Sequence, residues 1–473
     1  MWVAEGLVAT KRAKTLEEVA EEYLNELIDR CLLQVVERND FGRVRTYRMH
    51  DLVRELAVLT SAKENFCVTY DKSQVRIVDQ NVRRMSLDGY SDTIPSTIDI
   101  SHLRSFYLFD TKSSPPSLIS RSARYLRVLD LQNVPIESLP DDVFNLFNLR
   151  YLGLRNTKVK ELRNSLGKLR RLQTLDLCNT KIKELPNGIT ELHQLRHLFA
   201  DKELDSNFRT FHDFSGVQAP KGLWDLRDLQ TVQSVEASTE LVRQLENLTE
   251  MRIFRIRNVK GTHCRELFTS IGKMHFLSNL SVIASDENEH LILEALNCPP
   301  SHCLTTFCLQ GRLLEEMLRT PLFYAIGVNL KRLWIGWSGL KEDPLPALSF
   351  MSNLTFLHLQ RAYEGECLSF NVGWFPKLRR LHLIDLPRVK LINIDKTMQE
   401  LVELWLIALP QLKAAPQGFK FLTSLQEIFL WDMHPDFMKN IQTAAKVKVK
   451  HIPFINYLYQ NMEGVWTAKV SDP

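Results

Sequence analysis

The stretch LRVLDLQNVPIESLPDDVFNLFN, Leu126–Asn148, runs directly into LRYLGLRNTKVKELRNSLGKLRR, Leu149–Arg171, and then LQTLDLCNTKIKELPNGITELHQ, Leu172–Gln194. The starts at Leu126, Leu149, Leu172 and Leu195 are each 23 residues apart. Every unit opens L-x-x-L-x-L. Ile136, Val159 and Ile182 then recur, as do Leu139, Leu162 and Leu185, and Leu146, Leu169 and Leu192. Two leucines separated by one residue share a face of a short strand. The later apolar residues point inward from the segment that returns. One unit cannot cover this surface alone, so neighbours stack and bury a common core. Each buried leucine contributes on the order of 2 kcal/mol.

This is the leucine-rich-repeat pattern, and it extends in both directions. Upstream are VRRMSL from Val82 and LRSFYL from Leu103. Downstream are LQTV from Leu229, MRIFRI from Met251, LSNLSV from Leu277 and LTTFCL from Leu304. LKRLWI, LTFLHL, LRRLHL, LVELWL and LQEIFL then start at Leu330, Leu354, Leu378, Leu401 and Leu425, with spacings of 24, 24, 23 and 24. Between Leu195 and Leu229 the spacing rises to 34, which marks an inserted loop over Ala200–Lys221. The expected fold class is α/β: a curved leucine-rich-repeat solenoid of about fifteen repeats, preceded by a small winged-helix domain. The expected boundaries are 1–75 for the winged helix, 76–435 for the solenoid and 436–473 for a C-terminal cap and tail.

The block before the repeats carries other signals. TLEEVAEEYLNELIDRCLL reads as an amphipathic helix, with Thr15 and Glu18 as a capping box and Leu16, Val19, Tyr23, Leu27, Ile28 and Cys31 as its apolar stripe. LQVVERNDFGRVRTYRM reads as two strands around Asn39-Asp40-Phe41-Gly42. A second helix runs from about His50 to Lys63, with Leu52, Val53, Leu56 and Leu59 apolar and Asp51 as its expected cap. Helix, hairpin and helix are the parts of a winged-helix unit.

Composition narrows the function classes. The 473 residues are 44% hydrophobic and 25% charged, as in soluble globular proteins. A net charge of +4 gives no case for a general nucleic-acid binder, and HDLVRELAVLTSAK is no basic recognition helix. No run is long and apolar enough for a transmembrane helix, and MWVAEGLVATKRAK is not a secretory signal, since its charges follow the apolar run. Eight scattered cysteines without a C-x-x-C pair suit reduced thiols in a reducing compartment.

MWVAEGLV, EEYLNELIDRCLLQ and YRMHDLVRELAV, followed by these repeats, resemble the plant intracellular immune receptors of the nucleotide-binding leucine-rich-repeat (NB-ARC) family, coiled-coil branch. Met49-His50-Asp51 matches that family's M-H-D motif, and LDLQNVPIESLP and LDLCNTKIKELP match its plant-type repeats. The resemblance implies that His50 contacts an ADP phosphate and helps hold a resting state. An imidazole N–H at a helix start is suited to that, because the first backbone N–H groups already favour anions. The chain departs from the family in having no G-x-x-x-x-G-K-[ST] phosphate cradle. It therefore reads as the C-terminal part of such a receptor, and ADP or ATP, cofactors of the full-length family, are not expected to bind this chain alone.

The repeat geometry supplies a second candidate. The middle residue of L-x-L points away from the core onto the concave face. In the last regular units this column reads Trp334, His358, His382, Trp405 and Phe429, with Arg332, Phe356, Arg380 and Trp431 beside it. In early units it reads Asp130, Gly153 and Asp176, which carries no signal of its own. At exposed positions an aromatic column is a contact surface for a partner; the other reading is aromatic self-packing with no partner. Weaker candidates are His193 and His197 in HQLRH, which lacks the catalytic glutamate, and Cys298, Cys303 and Cys308, so no metal site is assigned. Lys446–His451, KVKVKH, suits an edge strand.

The expected function is pathogen sensing in plant defence, without enzymatic activity. Partners would be a pathogen effector or a guarded host protein, together with intramolecular NB-ARC contacts, in the cytoplasm or peripherally at the plasma membrane. Two alternatives stand beside it: a ubiquitin-ligase substrate adaptor, and an extracellular receptor ectodomain.

Overall fold

The computed structural model describes residues 1–12, 14–38, 44–64, 66–70, 82–88, 101–109, 123–204, 210–212, 214–293, 302–443, 450–460 and 466–471. They form two compact units. The first holds Met1–Glu203 and Gly216–Ser234, and the second Leu204–Ser215 and Val235–Pro473.

The first unit starts with helix–hairpin–helix. A short helix, α1 (Trp2–Glu5), precedes α2 (Leu16–Asp29). The capping box of α2 is present: the Thr15 amide donates to Glu18 Oε2 at 2.7 Å and the Glu18 amide to Thr15 Oγ1 at 3.2 Å. Val19 is fully buried, whereas Cys31 lies past the helix end, exposed and in a left-handed conformation, and so leaves the expected stripe. Strands β1 (Gln34–Arg38) and β2 (Val44–Arg48) pair antiparallel; the turn at Asn39–Gly42 lies outside the described residues. Helix α3 (Asp51–Lys63) follows.

Parallel strands then stack. Val68–Tyr70, Arg84–Asp88, Ser105–Phe109, Val128–Asp130, Tyr151–Gly153, Thr174–Asp176 and His197–Phe199 pair in sequence order. Thr231–Gln233 adds directly to His197–Phe199, so the long insertion leaves the ladder continuous. Leu129, Leu152, Leu175 and Leu198 lie in register, each fully buried. The returning segments are short 3-10 turns that insert Phe144, Leu166 and Ile189 into the same core.

Asn133, Asn156 and Asn179 occupy one position of successive units at φ 64°, 58° and 55°. Asparagine tolerates this left-handed turn because its amide bonds locally. Here the amides bond along the stack: Asn156 Nδ2 donates to Asn133 Oδ1 at 2.7 Å and Asn179 Nδ2 to Asn156 Oδ1 at 2.9 Å.

The second unit repeats the plan. Its parallel ladder runs through Ile253–Val259, Asn279–Ala284, Thr306–Gln310, Arg332–Gly336, Phe356–Gln360, Arg380–Ile384, Glu403–Ile407, Glu427–Trp431 and Phe454–Gln460. Trp466–Ser471 closes it antiparallel. Leu333, Leu357, Leu381, Leu404 and Ile428 are in register and buried.

Two expected boundaries move. The ladder begins at Val68, inside the 1–75 block, because backbone pairing with Met85–Leu87 needs no leucine pattern. It also continues past 435: Pro435–Gln442 is a returning helix, and Phe454–Gln460 is a further parallel strand with Ile455 and Tyr457 buried. Of KVKVKH, only Lys450 and His451 are described, in a turn and not an edge strand; Lys446–Val449 lie outside the described residues.

Replacing Asn156 by Ala removes both ladder bonds and leaves a Cβ residue at positive φ. We expect a loss of about 2–3 kcal/mol in urea unfolding. Lys158→Ala, at an exposed position two residues on, changes stability by less than about 0.5 kcal/mol. Equal effects from the two substitutions would refute the ladder's role.

Candidate functional site

His50 is the N-cap of α3, with extended backbone at φ −60° and ψ 143°, and its side chain makes no capping bond. Asp51 is the first helical residue, not the cap, so its carboxylate acts on the free N–H groups of the first turn as a charge. His50 and Asp51 are exposed and Met49 is half-buried. The helix they open buries none of its residues: Leu52, Leu56 and Leu59 are 71%, 65% and 59% exposed. The triplet therefore stands beside an uncovered apolar helix face.

Residues 1–29 are held in a different way. In the early strands alternation sends Tyr107, Val128 and Tyr151 to the side opposite the leucines, and Ala4 of α1 packs among those three. Glu5 is 4% exposed; its Oε1 is 2.8 Å from Arg84 Nη2 as an ion pair, and its carbonyl accepts from Arg127 Nη1 at 3.0 Å. Burial raises the Glu5 carboxyl above its ordinary value, against the pull of Arg84. Glu17 of α2 meets Arg196 through two contacts of 3.0 Å and His197 Nε2 at 3.1 Å, while His197 Nδ1 lies 3.2 Å from Thr231 Oγ1. Burial opposes the Glu17 charge, yet His197 and Arg196 hold its carboxyl at about 2.

The column read as signal-free, Asp130, Gly153 and Asp176, belongs to the same face. Asp130 and Asp176 are buried, and Asp176 pairs with Arg155 at 3.0 Å. Burial pushes the Asp130 carboxyl up to about 6, with Asp176 adding like charge. A Cβ on Gly153 would sit 2.4 Å from Asp130 Oδ1 and 2.9 Å from the Tyr151 ring, so any larger residue there forces those side chains to shift. Sequence reasoning missed this clamp. A visible signal existed: arginine follows the first leucine at Arg104, Arg127, Arg150 and Arg196.

In the second unit the aromatic column is one continuous stack. Ring centroids lie 3.7 Å apart for Trp334–His358, 5.6 Å for His358–His382, 4.2 Å for His382–Trp405 and 5.1 Å for Trp405–Phe429. Phe356 meets His382 edge-on at 4.8 Å. Glu403 links the stack to its rim, with Oε1 2.9 Å from His382 Nε2 and Oε2 3.2 Å from Arg380 Nε. Arg332, half-buried, stands in register with Phe356. Trp431 packs with Ile384, Ile407 and Ala408, against which Trp405 and Phe429 also lie.

The expected exposure is corrected here. His358 and His382 are each 3% exposed, and Phe356 and Trp431 are buried too; Trp334, Trp405 and Phe429 are half-buried. Strands about 4.8 Å apart bring neighbouring middle residues into ring contact, so the column covers itself. Only the half-buried rings and the charged rim remain for a partner.

The weaker candidates resolve simply. His197 is engaged by Glu17 and Thr231, and among the described residues no group of His, Cys, Asp or Glu could hold a metal ion. Cys308 is a free thiol, half-buried on its strand; Cys298 lies outside the described residues.

The buried imidazole gives a pH dependence. Burial, then the neighbouring His382, lowers His358 well below its ordinary 6.5, while Gln360 pulls the other way. Below pH 6.5 the unfolded chain takes up a proton that folded His358 refuses, so stability falls with pH, by up to about 1.4 kcal/mol per pH unit. Urea unfolding between pH 7.5 and 5 is expected to show this slope, reduced in His358→Gln. An unchanged slope in the variant would refute a neutral buried imidazole.

Comparison with known proteins agrees with this geometry. A leucine-rich repeat region matches residues 102–463, and a disease resistance protein winged helix domain matches residues 1–57. Disease resistance protein RPM1 of Arabidopsis thaliana is 36% identical, over 100% of this chain and 51% of the relative. Disease resistance RPP8-like protein 3 of the same plant is 23% identical, over 96% and 50%. The putative late blight resistance protein homolog R1B-16 of Solanum demissum is 25% identical, over 97% and 34%. The chain thus spans about half, or less, of the length of these relatives. A leucine-rich-repeat protein of Leptospira interrogans shares the fold, with a TM-score of 0.53 at 19% identity over 82% of this chain and 99% of that one. No helix among the described residues is long and apolar enough to cross a membrane. With a disease resistance winged helix domain matched at its start and a leucine-rich repeat region matched over most of its length, the chain belongs to the leucine-rich-repeat proteins and is similar along its whole length to plant disease resistance proteins.

Proposed function

We propose that this chain is the sensing and restraining part of a cytoplasmic plant immune receptor, a binding protein and not a catalyst. Its first repeats hold the winged-helix segment at rest, and its later repeats meet a pathogen effector or a modified host protein. The observation that carries this reading is the clamp: Glu5 against Arg84 and Arg127, and Glu17 against Arg196 and His197. Charge-assisted, partly buried pairs of this kind fix register and can be broken by a competing contact. A restraint needs two states and a ligand that prefers one of them. The winged helix carrying His50 is the element with two states, and the half-buried rings Trp334, Trp405 and Phe429 with the Arg380–Glu403 rim are the ligand's surface.

Met49-His50-Asp51 forms half of the nucleotide switch in this reading. His50 offers an exposed imidazole at a helix start, beside the apolar face of Leu52, Leu56 and Leu59. The sequence holds no G-x-x-x-x-G-K-[ST] phosphate cradle to complete a nucleotide site around it. Titration calorimetry on the purified chain is expected to give no ADP binding tighter than about 1 mM, near the weak limit of specific recognition. Micromolar binding would overturn that assignment.

Restraint is tested by releasing the clamp. In a receptor that carries this chain, Arg84→Ala with Arg127→Ala is expected to cause cell death in leaf tissue without any pathogen protein. A silent double variant, present at the level of the parent, would contradict the reading.

A further inference from the structure

The insertion that interrupts the repeats at Ala200–Lys221 ends in an unexpected place. Phe211 is only 8% exposed although its neighbours Thr210 and His212 are exposed. Its ring meets Trp337 edge-on, 5.5 Å between centroids and 86° between planes. Its carbonyl accepts from Gln310 Nε2 at 2.6 Å, and Gln310 is buried. Three residues on, Phe214 lies under Arg257, 5.4 Å from the guanidinium carbon to the ring centroid. All of these residues belong to the second unit.

Trp337 stands at the left-handed turn of its unit, where the following units carry Arg361, Asp385, Ala408 and Asp432. It follows Leu330 by as many residues as Asn133, Asn156 and Asn179 follow the leucines that open their units. Its φ is 49°, in the left-handed region where asparagine is at ease and a bulky side chain is strained. Its Nε1 is buried with no hydrogen-bond partner among the described residues. The same ring lines a cavity of about 260 Å³ with Arg312, Gly339, Arg361, Tyr363 and Glu364. Backbone preference gives no reason for tryptophan here, whereas a seat for an aromatic ring does.

We propose that Gln310 and Trp337 form a recognition subsite for an extended protein segment presenting an aromatic side chain and its main-chain carbonyl. Phe211 is the chain's own occupant of that seat. An incoming partner segment displaces it and then reaches the adjoining cavity, which Trp337 also lines. This rests on the reading of the later repeats as the partner surface and names one contact within it.

The test needs no partner. A fluorescent peptide of residues 210–218 is titrated by anisotropy into the full chain and its variants. A tethered occupant competes at an effective concentration of about 1 mM, so the wild type is expected to bind at least about tenfold more weakly than Phe211→Ala. Adding Trp337→Asn, the residue at this turn in the units that hold Asn133, Asn156, Asn179 and Asn258, abolishes binding to the opened chain, and so does alanine for phenylalanine at position 211 of the peptide. Phe211→Leu, which keeps an apolar anchor if the alanine variant fails to fold, lies between. Equal affinity for wild type and Phe211→Ala, or no binding by folded Phe211→Ala or Phe211→Leu, would overturn the seat. Either result leaves the wider partner surface standing, because that surface is read out by signalling in plant tissue.

Discussion

A repeat that presents its leucines on one side of a single short strand has no core of its own. It must be covered by the next copy, and this requirement governs everything else in the chain. It fixes the strand spacing, puts Leu129, Leu152, Leu175 and Leu198 in one buried row, and goes with the left-handed turn that Asn133, Asn156 and Asn179 make in successive early units. It also delivers one further property without cost: the residues between the leucines stack in columns on the opposite side, whatever they are. Function can then be written into those columns without disturbing the core.

The chain writes different chemistry into its two units. In the first, the outward columns hold arginine, aspartate and tyrosine, and they take the carboxylates and small side chains of the N-terminal helices. Glu17 stays ionised because its partners outweigh its burial, whereas Asp130 and Glu5 sit where burial raises their carboxyls. In the second, aromatic rings and imidazoles stack on each other and leave a half-buried surface with a charged edge. A face that is self-satisfied in its middle and open at its rim can exchange contacts without unfolding. That is the property a sensing surface needs.

Legibility followed the same division. Repeat starts, the capping box at Thr15 and Glu18, the hairpin strands and the start of α3 all rest on local spacing, and they stand where the spacing placed them. The insertion could be located from the break in period. Its destination could not, because Phe211 binds a residue about a hundred positions away that no period links to it. The Glu5 and Glu17 clamp was hidden for the same reason, although the recurring arginines hinted at an anionic neighbour. Exposure of the aromatic column was misjudged because side-chain direction alone ignores contact between adjacent strands: a tryptophan over an imidazole at 3.7 Å shields both. Boundaries moved at both ends since strand pairing at Val68 and Phe454 depends on backbone, which carries no sequence period.

The central claim is that charge complementarity fastens the winged-helix segment to the first repeats. Reversing the pair tests it most directly: Glu17→Arg, Arg196→Glu, and both together, followed by hydrogen–deuterium exchange of the amides of α2 in the full chain. The account predicts faster exchange over α2 in either single variant and recovery of protection in the double variant. Unchanged exchange in the single variants, or no recovery in the double, would contradict it.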